Sequence, residues 1–411
     1  MTDISGLFAD EVRRRPLIPL GGQGVPIRYD FDQGLPAHET FPYQALAELA
    51  RRTLDEDGAP ALEYIDPRFG YADMSLGYGG LREIIARRIA ERQGRTIGSD
   101  GVILTQGSTQ AIALAIDAFV NPGEVAIVEE VTFGHCLRFL EMAGADIRRV
   151  PVDDDGMDID AVERVLADAQ AQGKRVKLVY CIANFQVPTG TELSLARRRR
   201  LVALAARHGF VLLEDDVYGE LRFAGEALPT MFGMEGDATR DGLVLQCGSF
   251  SKTIAPGLRL GWMAGAPQAI GAMAIMRQDL GVSQWTCRLL GRYVAEGGYD
   301  RHVAEVRDVY RRKCALASAT LRAACGNLLR FRPPRGGFFL WGAIDDRVDW
   351  QRAQPEIRAA GIMLRPASRF ANEDQRPLIR LAYGHCDDQT ISEGLGLLGQ
   401  ILHRCLKAEA P

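Results

Sequence analysis

The segment QCGSFSKTIAPGLRLGW, residues 246–262, contains the most informative residue of the chain, Lys252. Only five of the 49 basic residues are lysines, at positions 174, 177, 252, 313 and 407, and the other 44 are arginines. A buried lysine can lose its proton near neutral pH, whereas arginine cannot, and only the free amine attacks a carbonyl carbon. Lys252, placed among hydroxyl side chains and ahead of Pro256-Gly257 and Arg259, therefore predicts a nucleophilic amine.

Length and composition indicate a globular protein with a large and a smaller domain. The chain has 411 residues, of which 47% are hydrophobic and 25% charged, as in ordinary globular proteins. The net charge of −4 predicts neither a nucleic-acid nor a membrane partner, and no apolar run approaches the roughly 20 residues that cross a bilayer. The N-terminus lacks a signal-peptide pattern. Eight cysteines without a Cys-x-x-Cys pair predict reduced thiols and a cytoplasmic location.

Two charged segments suggest other functions, and both are rejected. Asp153-Asp154-Asp155-Gly156 resembles a calcium loop, but the flanking ligand positions would be Pro151 and Val162, so the ligand set fails and no metal is expected. The four consecutive arginines 197–200 spread around a predicted helix. They predict a solvated helix surface, not a nucleic-acid site.

From about residue 100, short apolar runs alternate with longer helical patterns. Continuous apolar strands that alternate with helices indicate an α/β fold with a mostly parallel sheet covered on both faces. The predicted strands are Val102–Thr105, Val125–Glu129, Asp146–Val152, Val176–Ile182, Val211–Asp216, Leu243–Ser249 and Leu258–Gly265. The predicted helices between them are Ser108–Val120, Phe133–Ala143, Ile159–Ala171 and Leu193–His208.

The predicted organisation has three parts. Residues 1–45 form an N-terminal segment that joins the smaller domain, residues 46–295 form the large domain, and residues 296–411 form a smaller α+β domain. The smaller domain begins with a long helix from about Tyr299 and contains a strand at Ile379–Ala382.

Asp215 lies at the carboxyl end of the predicted strand Val211–Asp216, and Tyr218 follows that strand. A carboxylate at the carboxyl end of such a strand points into the ligand crevice of an α/β sheet. The alternative is a carboxylate that only caps the next helix. Asp216 is the alternative to Asp215 if the strand is shifted by one residue.

The segment QGSTQ, residues 106–110, follows the strand Val102–Thr105 and opens a helix. Backbone N–H groups at a helix start favour a dianion, and Gly107 permits a close backbone approach. Hydroxyl groups and an arginine from the Lys252 segment would complete the site. The predicted phosphate-binding residues are Gly107, Ser108, Thr109, Gln110, Ser249, Ser251 and Arg259.

Arg380 lies in the apolar strand LIRLAY, residues 378–383. A buried arginine must be paired. A substrate carboxylate is a suitable partner, and an internal salt bridge is the alternative.

These motifs, in this order from about residue 30 to the C-terminal helix, resemble the fold-type I pyridoxal-phosphate-dependent aminotransferases. The resemblance is strongest to the branch of 2-aminoadipate aminotransferases and of the aminotransferase-like half of MocR-type regulators. It implies a seven-stranded sheet in the large domain, pyridoxal 5′-phosphate as cofactor, and a homodimer with a shared active site.

The resemblance also implies a role for each candidate. Lys252 would form a Schiff base with the cofactor and shuttle a proton, Asp215 would hold the pyridine nitrogen, and Tyr218 would reach the ring's 3-oxygen. Arg380 and the backbone at Gly34 would bind the substrate carboxylate. Phe133 would stack on the ring, its alternative being a core aromatic. Tyr71 would contact the phosphate of the neighbouring subunit.

Three positions depart from the family pattern. Val187 stands where relatives have an asparagine that donates a hydrogen bond to the 3-oxygen, Val131 replaces a proline, and His135 replaces a glycine. His135 is a substrate contact or, as we favour, a satisfied helix histidine.

These departures leave three functional alternatives. The first is an aminotransferase acting on an α-amino acid and a 2-oxo acid. The second is a pyridoxal-phosphate enzyme of β- or γ-elimination, replacement or decarboxylation. The third, a regulator with an added DNA-binding domain, is not expected, because the resemblance begins near residue 30. The sequence does not predict the amino acid, whose side chain would depend on the region Gly21–Gly24 and on loops without motifs.

Overall fold

The computed structural model describes residues 5–13, 26–65, 71–235, 242–370 and 376–407, without the side chains of residues 11 and 71–73. Its helices are α1 Asp10–Arg13, α2 Tyr43–Asp57, α3 Tyr71–Leu76, α4 Gly79–Gln93, α5 Ser108–Phe119, α6 Gly134–Met142, α7 Ile159–Ala171, α8 Leu195–His208, α9 Met231–Glu235, α10 Pro267–Met276, α11 Gln284–Ala295, α12 Gly298–Cys325, α13 Trp350–Ala359 and α14 Asp388–Arg404. Its strands are β1 Tyr29–Asp30, β2 Val102–Thr105, β3 Val125–Glu129, β4 Asp146–Val150, β5 Val152–Asp153, β6 Gly156–Met157, β7 Val176–Cys181, β8 Val211–Asp215, β9 Val244–Ser249, β10 Gly261–Ala264, β11 Leu329–Phe331, β12 Phe339–Ile344, β13 Ile362–Met363, β14 Arg365–Pro366 and β15 Leu378–Ala382.

The largest sheet has seven strands in the order β2-β10-β9-β8-β7-β3-β4. All neighbouring strands are parallel except β10, which runs antiparallel to β2 and β9. The central strands are buried along nearly their whole length, because helices cover both faces of the sheet. The predicted α/β class and the seven-stranded, mostly parallel sheet are confirmed.

A second, antiparallel sheet has the order β11-β12-β15-β14. The long helix α12 packs against α14 beside it. The N-terminal strand β1 pairs in parallel with β13, so the start of the chain contacts its C-terminal part. The division of the chain at residues 45 and 295 stays a prediction.

The predicted strand Leu258–Gly265 is too long. Pro256–Leu258 form a 3-10 turn, Arg259 has a left-handed backbone with φ of 47°, and the strand starts at Gly261. The Pro-Gly turn lets the chain reverse before β10, and it aims the Arg259 side chain at the loop after β2. The other predicted strands and helices agree with the structure to within about two residues, as helix and strand ends usually do.

The arginine-rich helix is only partly a solvated surface. Arg198 is fully buried. Its guanidinium donates to the carbonyls of Leu193, Ala183 and Pro229 and to the side chain of Asn184. The prediction for residues 197–200 is therefore wrong at this position, because these acceptors satisfy a buried charge.

In the part of the chain that the structure describes, no helix is long and apolar enough to cross a membrane, and no group of three or more His, Cys, Asp or Glu side chains could hold a metal ion. Asp153 and Gly156 pair across the β5–β6 hairpin, with Asp154 and Asp155 in its turn.

The packing of α14 on α12 predicts opposite effects for two glycines of α14. A Cβ at Gly399 would lie 2.4 Å from the carbonyl oxygen of Ala324, whereas a Cβ at Gly396 would meet no atom within 4 Å. We expect Gly399→Ala to lower the free energy of unfolding by about 1–3 kcal/mol through overpacking. Gly396→Ala should raise it by about 0.5–1 kcal/mol, because alanine loses less backbone entropy in a helix.

Urea unfolding followed by circular dichroism measures both variants against the unmodified protein. Equal midpoints for Gly399→Ala and Gly396→Ala would contradict the close contact between the two helices.

Candidate active site

Lys252 lies in the turn after β9 with a largely buried side chain. Its Nζ donates a hydrogen bond to the carbonyl oxygen of Gly34 at 2.9 Å. Burial, together with the nearby charges of Arg380 and Arg259, lowers the pKa of Lys252 to about 8, and Asp215 only partly offsets this shift. A larger share of this amine is therefore neutral near pH 7 than for an exposed lysine.

Asp215 ends β8, and its carboxylate is buried. Oδ2 accepts a hydrogen bond from the phenol of Tyr180 at 2.6 Å, while Oδ1 has no hydrogen-bond partner among the residues that the structure describes. Burial raises the pKa of Asp215 to about 6, although the Tyr180 hydrogen bond acts in the opposite direction. One oxygen is thus held in place and the other is available to an incoming N–H donor.

The neighbouring carboxylates are used elsewhere. Asp216 accepts from Asn184 Nδ2 at 2.6 Å, and Glu214 accepts from the backbone N–H groups of Met231 and Phe232, both at 2.9 Å. The structure thus places Asp215, and not Asp216, beside Lys252.

Tyr218 lies three residues after Asp215 and is buried. Its ring makes edge contacts with Phe338 and Phe339, each at 5.6 Å between centroids. Lys252 Nζ lies 5.9 Å from its ring centroid. Burial raises the pKa of Tyr218 far above its ordinary value, so the phenol keeps its proton and can donate a hydrogen bond.

The loop after β2 and the Arg259 turn form one concave surface. Gly107 has φ of 83°, and a Cβ there would lie 3.0 Å from Nη2 of Arg259. Nη2 also donates to the carbonyl oxygen of Gln106 at 2.8 Å. Ser108 starts α5, and half-buried Thr109 follows it. The N–H groups in the first turn of α5, which have no partner within the helix, therefore point at the surface formed by Gly107 and Arg259.

Two predicted phosphate ligands instead support this surface with their side chains. Gln110 Oε1 accepts from the backbone N–H of Gln106 at 2.8 Å, and Gln110 Nε2 donates to Asp279. Ser249 Oγ accepts from the backbone N–H of Ser251 at 3.1 Å and lies 3.4 Å from the carbonyl oxygen of Leu260. Both contacts fix the loops around Gly107 and Lys252.

Phe133 immediately precedes α6 and is half-buried. The ring of His135 stacks on it, with 5.1 Å between centroids and 30° between planes. His135 is exposed and makes no hydrogen bond to any described residue, so it differs from the satisfied helix histidine that we favoured.

Arg380 lies in the centre of β15. Its Nη2 donates to the carbonyl oxygen of Asp32, and its buried Nε has no hydrogen-bond partner among the described residues. The guanidinium lies over the ring of Phe339, 4.6 Å from the centroid. Burial and the nearby Arg365 lower the pKa of Arg380 to about 10. An unpaired N–H in this position suits a carboxylate.

Gly34 lies within the same group of residues. A Cβ at Gly34 would lie 2.9 Å from Cζ of Phe339, so glycine lets the backbone approach the ring. The structure therefore brings together Lys252, Asp215, Tyr218, Arg380 and Gly34.

Two predicted regions cannot be placed in the site. The backbone of Tyr71 starts α3, but its side chain lies outside the described residues, as do residues Gly21–Gly24.

Sequence reasoning missed Tyr180. It lies in β7, fully buried, and its phenol is the only described side chain that donates to Asp215. The hydroxyl of a buried tyrosine usually has a hydrogen-bond partner. A tyrosine within the apolar run 176–182 was therefore the one sign in the sequence that such a partner exists. The partner is 35 residues away in sequence, so the signal did not identify it.

The arrangement fits pyridoxal 5′-phosphate. The unpaired Oδ1 of Asp215 suits the N–H of a pyridinium ring, and the surface formed by Gly107, Ser108 and Arg259 suits a phosphate. The buried amine of Lys252 lies in the same group of residues.

Comparison with known proteins agrees with this fit. The family described as aminotransferase class I and II matches residues 33–398. The chain is 31% identical to the aromatic-amino-acid aminotransferase 1 of Thermococcus litoralis, over 91% of this chain and 88% of the relative. It is 32% identical to the 2-aminoadipate transaminase of Thermus thermophilus, over 90% of this chain and 89% of the relative.

A solved structure is also similar. The α-aminoadipate aminotransferase LysN from Thermus thermophilus, complexed with N-(5′-phosphopyridoxyl)-L-leucine, superposes with a TM-score of 0.85 at 28% identity. The match covers 98% of this chain and 99% of that one.

The Tyr180 hydrogen bond predicts a measurable shift in the titration of Asp215. The phenol stabilises the ionised carboxylate, so Tyr180→Phe should raise the pKa of Asp215 above its value of about 6. The protonated fraction at pH 7 should then increase. Difference infrared spectra of the cofactor-free protein against pH follow the buried carboxylic-acid band, which Asp215→Asn identifies by its loss.

Tyr293→Phe is the matched control, because Tyr293 is a buried tyrosine of α11 that makes no hydrogen bond to Asp215. A Tyr180→Phe titration with the same midpoint as this control would show that the hydrogen bond does not tune the carboxylate.

Proposed function

The chain belongs to the aminotransferase class I and II family and is therefore an aminotransferase, and we propose that it works with pyridoxal 5′-phosphate held by Lys252. The observation that carries this proposal is the buried Oδ1 of Asp215, which has no partner among the described residues. An unpaired buried carboxylate oxygen is costly. A pyridinium N–H offsets that cost and explains why the oxygen is left free.

The cofactor, when bound, supplies a ring that withdraws electrons from the substrate's Cα. The residues around it have separate tasks. Asp215 keeps the ring nitrogen protonated, Tyr218 donates to the ring's 3-oxygen, and Arg259 with the α5 N-terminus binds the phosphate. Phe133 supports one face of the ring.

Lys252 has two tasks in this proposal. Its neutral amine, which the lowered pKa makes available, would bind the cofactor covalently. The same amine, when free, would take a proton from the substrate's Cα. Arg380 holds the substrate carboxylate next to Gly34 and so fixes Cα within reach of Lys252.

The elimination and decarboxylation alternative has no support in these contacts. Val187 removes one hydrogen-bond donor, but Lys252, Asp215 and Arg380 keep the arrangement that an amino-group transfer needs.

We also propose that the protein is a homodimer. Several large apolar side chains are exposed in α10, in the loop that follows it and in the segment before Tyr71. They are Leu62 at 73%, Tyr64 at 75%, Ile275 at 83% and Leu280 at 65% exposure. Exposed apolar side chains of this size are frequent on a surface that another protein covers. A second copy of the chain would also bring its Tyr71 to the neighbouring phosphate site.

The test of function is a single turnover of the cofactor-loaded enzyme with a panel of amino acids. We expect one equivalent of 2-oxo acid and one of pyridoxamine phosphate per site, and no product from Lys252→Ala. Lys174→Ala, at an exposed lysine that pairs with Asp146, should react like the unmodified enzyme. Products that retain the amino group, or turnover by Lys252→Ala, would contradict the proposal.

The lowered pKa of Lys252 predicts how cofactor capture depends on pH. Only the neutral amine reacts, so the rate constant for capture by the cofactor-free enzyme should rise with pH and level off above about 8. Stopped-flow absorbance measures this rate. A midpoint near 10, the ordinary range of lysine, would contradict the desolvated environment.

The dimer proposal predicts that Ile275→Asp and Leu280→Asp shift the protein towards the monomer. Sedimentation velocity over a range of concentrations measures this shift. Leu406→Asp, at another exposed leucine near the C-terminus, is the control and should leave the mass unchanged. Equal masses for all three variants would place the interface elsewhere.

A further inference from the structure

The turn that carries Lys252 is held by α12. His302, in the second turn of α12, is buried, and its Nε2 lies 2.8 Å from the carbonyl oxygen of Thr253, the residue after Lys252. A carbonyl oxygen only accepts hydrogen bonds, so Nε2 carries the hydrogen and His302 is the donor. Among the described residues no other donor reaches this carbonyl. A buried carbonyl without a donor is costly, so this contact fixes the position of the turn.

His302 acts on the turn without a charge. Burial lowers the pKa of His302, although its contact with the Thr253 carbonyl and the nearby Glu305 act in the opposite direction. The ring is therefore neutral near pH 7. The ring of Tyr293, on α11, lies 6.3 Å from the imidazole between centroids. The influence of His302 on Lys252 is thus one of position.

A second residue of α12 contacts the same turn. Tyr299 donates a hydrogen bond from its hydroxyl to Glu220 Oε2 at 2.5 Å, and the same oxygen lies 3.1 Å from Thr253 Oγ1. A phenol has one hydrogen, so the Thr253 hydroxyl is the donor in the second contact. The Tyr299 ring also meets the ring of Phe250 edge-on, with 5.6 Å between centroids. The helix therefore contacts the chain on both sides of Lys252.

The same helix also holds the partner of Lys252. Lys252 Nζ donates to the carbonyl oxygen of Gly34, and in the same segment the backbone N–H of Ala37 donates to the hydroxyl of Tyr310 at 3.1 Å. Tyr310 lies on α12 about 12 Å beyond His302 along the helix. Both ends of the hydrogen bond between Lys252 and Gly34 are thus attached to one helix, and the rise of that helix sets their separation.

The reactivity of the amine depends on this position. Burial and the charges of Arg380 and Arg259 lower the pKa of Lys252 to about 8, and Asp215 acts in the opposite direction. A displacement of the amine towards solvent and away from the two arginines would raise its pKa. The contact that fixes the turn therefore controls how much of the amine is neutral.

Resting on the proposed function, we propose that His302 is a positioning residue for Lys252. Its hydrogen bond to the Thr253 carbonyl fixes the turn after β9, so that the Lys252 amine stays against Gly34 in the position that cofactor capture needs. His302 contacts the residue after Lys252 and acts through it.

Trace acetylation of the cofactor-free protein with acetic anhydride tests this role. Only neutral amines react, so the labelling of Lys252, read by peptide mass spectrometry against pH, follows its neutral fraction. Lys174, which is exposed, is the reference within the same chain. The unmodified protein should show a midpoint of about 8. His302→Leu, which cannot donate, should raise the midpoint by about one pH unit, towards the ordinary value of lysine near 10.

Two variants separate the hydrogen bond from the general stability of α12. His302→Gln keeps an N–H donor and should restore the midpoint of the unmodified protein. Leu321→Ala removes a buried side chain near the other end of α12, about 28 Å from His302 along the helix. This variant should unfold more easily but keep the midpoint.

Tyr299→Phe is a second test that leaves His302 in place. It removes the hydroxyl that contacts Thr253 and keeps the ring against Phe250, so the midpoint should rise by less than in His302→Leu. An unchanged midpoint in His302→Leu, or in Tyr299→Phe where His302→Leu does not fold, would overturn the positioning role. A shift of equal size in Leu321→Ala, or in His302→Gln, would overturn it as well.

The single turnover of the cofactor-loaded enzyme separates this failure from that of the proposed function. An enzyme that transfers the amino group through Lys252, but whose acetylation midpoint does not depend on His302, retains the function and loses the positioning role. A protein whose Lys252 midpoint depends on His302 but that transfers no amino group loses the function and retains the positioning contact.

Discussion

The site depends on the parallel pairing of β7, β8 and β9. Asp215 lies opposite Cys247 in β9, and Tyr180 lies opposite Leu213 in β8, so their carboxyl ends meet at one edge of the sheet. Successive side chains of a strand point to opposite faces. Hence Asp215 faces Lys252 while its neighbours Glu214 and Asp216 turn to other partners. A register shift of one residue would exchange them.

Charge pairing, and not burial alone, distinguishes Lys252 from the lysine of α12. Lys313 of α12 is also buried, but Glu39 pairs with its Nζ at 2.5 Å and the carbonyl oxygen of Gly384 accepts from it at 2.9 Å. Lys252 has one carbonyl partner and two arginines nearby. The contact between Glu39 and Lys313 links the N-terminal segment to α12. Lys252 has no such carboxylate partner among the described residues, and its poorly compensated charge favours the neutral amine.

Local patterns predicted the elements and the candidate residues but not the long-range partners. The sequence predicted the bounds of β2 and β3 correctly, because a strand buried on both faces is a continuous run of apolar residues. The sequence did not predict the left-handed backbone conformation of Arg259, because arginine seldom adopts it. Arg198 and Tyr180 are polar residues whose partners lie in other elements, and periodicity carries no information about those partners.

The loop that contains Val187 keeps its shape through the preceding residue. Gln186 Nε2 donates to Glu129 Oε2 at 3.0 Å and to the carbonyl oxygen of Val131 at 2.7 Å, and its Oε1 accepts from the backbone N–H of Thr189 at 2.9 Å. Burial raises the pKa of Glu129 to about 8, so near pH 7 this anchor carries little charge. Because these contacts do not involve the side chain at 187, valine there removes a donor without moving the loop. Under the proposed function, Tyr218 would then be the donor to the ring's 3-oxygen.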